Sequence, residues 1–332
     1  MNKLCFRKLC FFFTILLLLF ACKRQFNVVN WKQLSDFSGR VWSLEYSPSG
    51  KMLAVSSADS TLTLYNKNLN VLWQTNDLIK EVSPIAFSPD EQFLAIPKYK
   101  SETDIALIDL TNYQVYHILS GHTNWVTCVD FTSDGEMIAS GSDDKSVRIW
   151  KRIGNSYMLH QMLQDNGMSI SNLTFTEDTN FLSVCGKNLV RIYQKKYDMF
   201  NPYQTITIED RFVNGLAFSS DGQLLCVGTY RGKILIFKNN GSTFVLQQTL
   251  SEHQKMVHSI VFTKDSRFMI SSSWDSSICF WKQTTAEFLK IKDVHGHKNQ
   301  VYDIALNPNE RYLASGGEDK TVIIWKLKNM DD

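Results

Sequence analysis

Residues 121–150 read GHTNWVTCVDFTSDGEMIASGSDDKSVRIW, and three short runs inside them decide the fold. VTCVDF, MIASGS and SVRIW are built from β-branched, aromatic, aliphatic and small residues that suit pleated strands. Asp134-Gly135 between the first two runs is a hairpin signal. Phe, Trp and Tyr make up 12% of the 332 residues, a composition that also favours β structure.

The same three runs recur along the chain. The third run ends at Tyr65, Ile108, Trp150, Tyr193, Phe237, Trp281 and Trp325, at intervals of 43, 42, 43, 44, 44 and 44 residues. Before each lies a first run ending in Phe or a close substitute: WSLEYS, SPIAFS, TCVDFT, SNLTFT, NGLAFS, HSIVFT and YDIALN. A turn and a second run stand between them. A fixed period of this length marks a repeat architecture whose units stack to bury a shared core.

The quoted residues resemble the WD40 repeat, whose pattern joins a Gly-His pair to a Ser, an Asp and a closing Trp. The resemblance covers roughly residues 26–328 and implies an all-β, seven-bladed β-propeller of four-stranded antiparallel blades. The implied domain layout is a leader at 1–22, the propeller at 23–328 and a tail at 329–332. It also implies hydrogen-bonded tetrads: His122, Ser140, Asp144 and Trp150 in the third repeat; His253, Ser271, Asp275 and Trp281 in the sixth; His297, Ser315, Asp319 and Trp325 in the seventh. His, Asp and Ser together suggest a hydrolase triad, but a triad has no reason to recur at a 44-residue period, whereas a staple in each blade does. The first, second, fourth and fifth repeats depart from the tetrad, with Asp59 kept in the first and Arg231 standing at the Asp position of the fifth.

Six repeats are followed by a further strand-like run, but after Trp325 only KLKNMDD remains. FNVVNWKQL, residues 26–34, precedes the first repeat and matches those trailing runs in length and character. In the WD40 family the N-terminal strand commonly completes the last blade, so the resemblance implies that this run is the fourth strand there and that the ring closes with no open edge.

Ahead of it stands MNKLCFRKLCFFFTILLLLFACKRQ. Lys3, Arg7 and Lys8 precede a 13-residue apolar run from Leu9 to Ala21, short for a spanning helix and suited to an export signal. Leu19-Phe20-Ala21-Cys22 resembles a bacterial lipobox, which implies lipidation at Cys22, an exported or membrane-associated protein, and a propeller held near the membrane with its top face outward. An uncleaved anchor, an ordinary signal, or a cytoplasmic chain starting further in are the other readings.

Removing the three leader cations from the formal charge of +2 leaves 32 basic against 33 acidic residues from position 22 onward. That balance supplies no excess to neutralise phosphates, so nucleic acid is not an expected partner. None of the seven cysteines has zinc-ligand spacing, no Gly-rich phosphate loop is present, and no cofactor, metal or catalytic site is expected.

Partner-binding positions follow from the repeat frame: the residues on either side of the Val that opens each first run, and the residue before the tetrad Asp. Trp42, Trp125, Phe212, Tyr230, Met256, His258, Trp274 and Tyr302 fall there, with Arg40, Glu81, Ser83 and Glu318 among the remaining positions. Aromatic and Met enrichment is the composition of binding hot spots. The expected function is a non-catalytic scaffold that takes a protein or peptide on its top face, as a monomeric propeller within a larger complex. The alternatives are an exported envelope lipoprotein or a small-ligand binder using the central channel.

Overall fold

The computed structural model describes residues 26–78, 85–97, 100–154, 156–164, 167–285 and 287–328. The leader with Cys22, Glu81 and Ser83 of the second repeat, and the tail at 329–332 lie outside the described residues. Twenty-eight strands form seven separate four-stranded antiparallel sheets, and no helix occurs among the described residues. Six blades take four consecutive strands each. The seventh orders Val301–Leu306, Tyr312–Gly317 and Val322–Lys328 from the inside, and its outer strand is Asn27–Leu34.

That closing strand runs antiparallel to the last one, from Asn27 opposite Lys328 to Leu34 opposite Val322. Its register skips at Trp31, between Asn30 and Lys32. The other six outer strands carry the same bulge opposite the residue that ends the third strand, for example at His160 facing Ile149 and Trp150. A bulge bends and twists the edge of a sheet, so the strand borrowed from the N-terminal side has the geometry of the six it completes. Trp31 itself stays 48% exposed and packs on Tyr312, ring centroids 5.1 Å apart.

The second strands are buried on both faces, which is why they read as runs of apolar and small residues. Side chains from one sheet meet those of the next, giving seven apolar clusters, one at each junction between consecutive blades. The junction of blades seven and one is built like the others: Ala305, Ala314, Val322 and Ile324 pack on Val41, Leu44, Leu53 and Val55. The closing strand contributes Val28 to one flank of its blade and Leu34 to the other. Burying a large apolar side chain stabilises by about 1.5–3 kcal/mol, so the strand locks two junctions at once.

Candidate functional site

In five blades the first strand begins beside the turn that joins the second and third strands. A backbone hydrogen bond ties the two: Ala58 N–H donates to Arg40 C=O at 2.8 Å, Asp143 to Trp125 at 2.9 Å, Tyr230 to Phe212 at 2.9 Å, Trp274 to Met256 at 2.9 Å and Glu318 to Gln300 at 2.8 Å. In these five blades the sequence positions chosen on either side of the turn therefore meet at one end of the ring.

Beneath that end lie the three tetrads. His122 Nε2 is 2.8 Å from Ser140 Oγ and its Nδ1 is 2.8 Å from Asp144 Oδ2, while Trp150 Nε1–H donates to Ser140 Oγ at 2.9 Å. With the indole donating to Ser140, the hydroxyl donates to Nε2 and Nδ1–H donates to the carboxylate, a consistent set for a neutral imidazole. Blade six repeats it through Ser271, with 2.8 Å from His253, 3.1 Å from His253 to Asp275 and 2.9 Å from Trp281. Blade seven does so with 2.7 Å from His297 to Ser315, 3.0 Å to Asp319 and 2.8 Å from Trp325. All three Ser hydroxyls sit on fully buried residues, so no substrate reaches them and they cannot serve as nucleophiles. Burial works to raise the Asp144 and Asp319 carboxyls, but hydrogen bonds from their tetrad His and from the turn outweigh it and hold each at about 2. Blade five carries the staple from the opposite side: Asp210 Oδ2 accepts the Arg231 N–H at 2.9 Å.

The residue after the opening Val is bulged out of the first strand in five blades, at Trp42, Thr127, Asn214, His258 and Tyr302. A bulge re-aims its side chain, and here the consequence differs around the ring. Over blades three to six the side chains near this position stitch to the next blade's backbone: Thr127 Oγ1 donates to Ile170 C=O at 2.6 Å, Ser171 Oγ to Val213 C=O at 3.0 Å and Asn214 Nδ2 to His258 C=O at 3.2 Å. Over blades six, seven and one the bulge residues are rings, and they pack on one another.

Trp42 and Tyr302 lie 4.3 Å apart by ring centroid, His258 and Tyr302 5.4 Å, His258 and Trp274 6.1 Å, and Tyr230 and Trp274 6.3 Å. Five sequence-picked residues thus join across blades one, seven, six and five. Beside them opens a cavity of 480 Å³ lined by Trp42, Phe212, Tyr230, Met256 and Trp274, together with Asn214, His258 and Arg211. Met256 and Tyr302 are buried, at 3% exposure each; Met256 forms part of the cavity wall, and Tyr302 packs behind it on Trp42 and His258. Trp125 stands on blade three, 37% exposed and outside this cavity. A second cavity of 620 Å³ shares Trp42, Phe212, Asn214 and His258 with the first and is also bordered by Thr127, Ser171, Ser259 and Asp303.

The electrostatics of the aromatic end come largely from arginine. The Arg40 guanidinium lies 4.8 Å from the Trp42 ring centroid and pairs with Glu318 at 3.6 Å. Glu318 also accepts the Tyr302 hydroxyl. Arg211 stacks on Tyr230 at 3.6 Å. Burial pushes the His258 imidazole down to about 4, so it is neutral near pH 7. Arg211 fell outside the repeat frame because it stands two residues before Val213, where only its charge beside Phe212 in the loop could have flagged it. Asp303, inside an otherwise apolar strand, was also missed. Among the described residues no cluster of His, Cys, Asp and Glu is arranged to hold a metal ion.

A family model described as WD40, WD domain, G-beta repeat, matches residues 31–66, 113–151, 200–238, 244–282 and 288–326, together more than half of the chain. An uncharacterized WD repeat-containing protein of Synechocystis sp. is 34% identical over 149 residues, 44% of this chain and 41% of that protein. The target of rapamycin complex subunit wat1 of Schizosaccharomyces pombe is 25% identical over 201 residues, 59% of this chain and 62% of its own length. The small ribosomal subunit protein RACK1y of Oryza sativa subsp. japonica is 26% identical over 165 residues, 48% of each chain. The matches thus span 41% to 62% of these relatives' lengths.

Proposed function

The chain belongs to the WD40 family, and from that premise we propose that it is a non-catalytic scaffold that seats a protein or peptide partner on the aromatic end of its ring. Propellers of this family generally act as scaffolds for protein interaction, and two of the relatives are named as parts of assemblies, a target of rapamycin complex and a small ribosomal subunit. The observation that carries the reading is the ring cluster of Trp42, Tyr302, His258, Trp274 and Tyr230 beside a 480 Å³ cavity. Large rigid side chains around a concavity are what a binding hot spot requires. Replacing Trp42, Trp125 and Trp274 together with Ala is expected to abolish partner recovery in an affinity pull-down while the protein stays folded. Undiminished recovery by a folded triple variant would defeat the proposal.

The leader supports a second, separable proposal: that the propeller is tethered to a membrane through lipid on Cys22. Among the described residues no helix is long and apolar enough to cross a membrane. Palmitate labelling and detergent partitioning that are lost in Cys22→Ala support the tether. Partitioning indifferent to that change removes it.

A further inference from the structure

We propose that the aromatic cavity takes a peptide by a carboxylate, and that Arg211 with the indole N–H groups of Trp42 and Trp274 is what recognises it. The inference rests on the top-face reading above and specifies its ligand.

Three observations converge. First, Trp42 Nε1 and Trp274 Nε1 are buried and have no hydrogen-bond partner among the described residues, and both residues line the cavity. An indole N–H is a donor only, and a buried donor without an acceptor costs about 1–3 kcal/mol. Two such donors, on residues that line one cavity, are groups that an incoming acceptor would satisfy. Second, the cavity holds one permanent cation and no acid among its lining residues, with His258 neutral. Arg211 is exposed and stacked on Tyr230, and no ion pair links it to a carboxylate among the described residues. A guanidinium held flat on a ring keeps its N–H edge free for an anion. Third, the protein's own arginines already lie over Trp42 and Tyr230. Those faces are where a cationic ligand would bind, so the cluster is not set up as a cage for an ammonium group.

The charge count selects among anions. Phosphorylated ligands are met by clusters of arginine, whereas one guanidinium flanked by neutral donors matches a single negative charge. Phe212, Met256 and the Trp274 ring add apolar wall, so the residue beside the carboxylate should be apolar. A volume of 480 Å³ accepts two or three residues of a peptide. The carboxylate can be a C-terminus or the side chain of Glu or Asp.

Six tripeptide probes test this on the full chain: Ac-Gly-Leu-Phe with a free C-terminus, its C-terminal amide, Ac-Phe-Glu-Gly-amide and Ac-Phe-Gln-Gly-amide, with Ac-Phe-Lys-Gly-amide and a phosphoserine tripeptide as competitors. Binding is followed by the indole N–H signals of ¹⁵N-Trp-labelled protein, assigned with Trp42→Phe and Trp274→Phe. A saturable shift of those two signals by a carboxylate probe, at least ~10-fold tighter than by its amide partner, is the expected result. The first pair against the second tells a C-terminal from a side-chain carboxylate. Arg211→Ala should weaken the acidic probe ~10-fold, and each Trp→Phe change, which keeps a ring but deletes the donor, should weaken it several-fold without affecting the amides. Equal binding of acid and amide, or tighter binding of Ac-Phe-Lys-Gly-amide or of a phosphoserine tripeptide, overturns the inference. If the triple Trp variant still loses its partner in the pull-down, such a result removes the carboxylate and leaves the scaffold reading standing. If pull-down recovery is intact as well, both fall.

Discussion

Two buried serines show how partners decide what a hydroxyl is worth. Ser315 Oγ holds His297 and Trp325 at 2.7 and 2.8 Å, so Ser315→Ala leaves a ring nitrogen and an indole N–H without partners. Each such loss costs about 1–3 kcal/mol, and a fall in melting temperature of several degrees is expected by circular dichroism. Ser183 Oγ is equally buried and has no hydrogen-bond partner among the described residues, so Ser183→Ala should leave the melting temperature unchanged or raise it. Equal effects of the two substitutions would remove the tetrad as a source of stability. The carboxylates in these staples also set a sign with pH. Asp144 and Asp319 are held near 2, below their ordinary 3.8. Between those values the unfolded chain binds protons that the folded chain does not, so their contribution is complete above about pH 4 and is lost as pH falls towards 2. Cysteine behaves as plain packing here: burial pushes the thiols of Cys128, Cys185 and Cys279 up to about 12. Titration with a thiol reagent at pH 7.5 should therefore leave all four described cysteines unmodified until denaturant is added.

At the scale of strands, the borrowed fourth strand and the glycines of the second strands decide whether blades fit together. A Cβ on Gly316 would overlap Val41 Cγ1, the first residue of blade one, and one on Gly228 would stand 2.8 Å from Val257 Cγ1. These glycines let the next blade's opening Val seat against the sheet. Gly316→Val should wedge blade seven from blade one and cost at least the ~1–3 kcal/mol of overpacking. Deleting residues 26–34 removes Val28 and Leu34 from two junctions and uncovers the edge of Val322–Lys328. The whole ring, not one blade, is expected to lose stability in a urea titration, and an unchanged midpoint would sink the closing role. Much of this level was legible in the sequence, because a period near 44 and a missing seventh outer run are visible without coordinates. The tetrads were legible through the resemblance to the WD40 repeat, which carries His122, Ser140, Asp144 and Trp150 over position by position. The five members of the aromatic cluster were among the positions picked from the sequence, but which of those eight positions touch one another was not legible, because that depends on packing between blades. Thr127 and Tyr302 occupy the same repeat position, and the side chain decides between a stitch and a stack, but which rings then meet depends on the adjacent blades. Burial of Met256 and Tyr302 comes from that same packing between blades, which periodicity within one repeat does not encode.

Over the whole molecule, three acids tie blades to their neighbours and give the ring a dependence on pH opposite to that of the tetrads. Glu45 Oε2 accepts the Phe87 N–H at 2.9 Å, Asp130 Oδ2 the Phe175 N–H at 3.2 Å, and Asp303 Oδ2 the Leu44 N–H at 3.0 Å. Each bond crosses from one blade to the next, the last across the closing junction. Burial dominates their chemistry: it raises Asp130 to about 7 and Asp303 to about 6 despite the backbone N–H groups that favour the ionised forms, and it raises Glu45 well above its ordinary value. Between about pH 4 and 7 the folded chain therefore holds protons that the unfolded chain has released, so these groups make stability fall as pH rises. His258, pushed down to about 4, works the other way between that value and about 6.5, so the raw profile mixes both. A paired measurement separates them. Asp130→Asn keeps an acceptor for Phe175 and cannot ionise, so the stability of wild type minus that of the variant should decline from pH 4.5 to 7.5, by on the order of 1–3 kcal/mol. Urea midpoints at four pH values suffice to see it. A difference that stays level across that range would mean the Asp130 carboxyl is ionised in the ring throughout, and that its bond to blade four outweighs the cost of burying the charge.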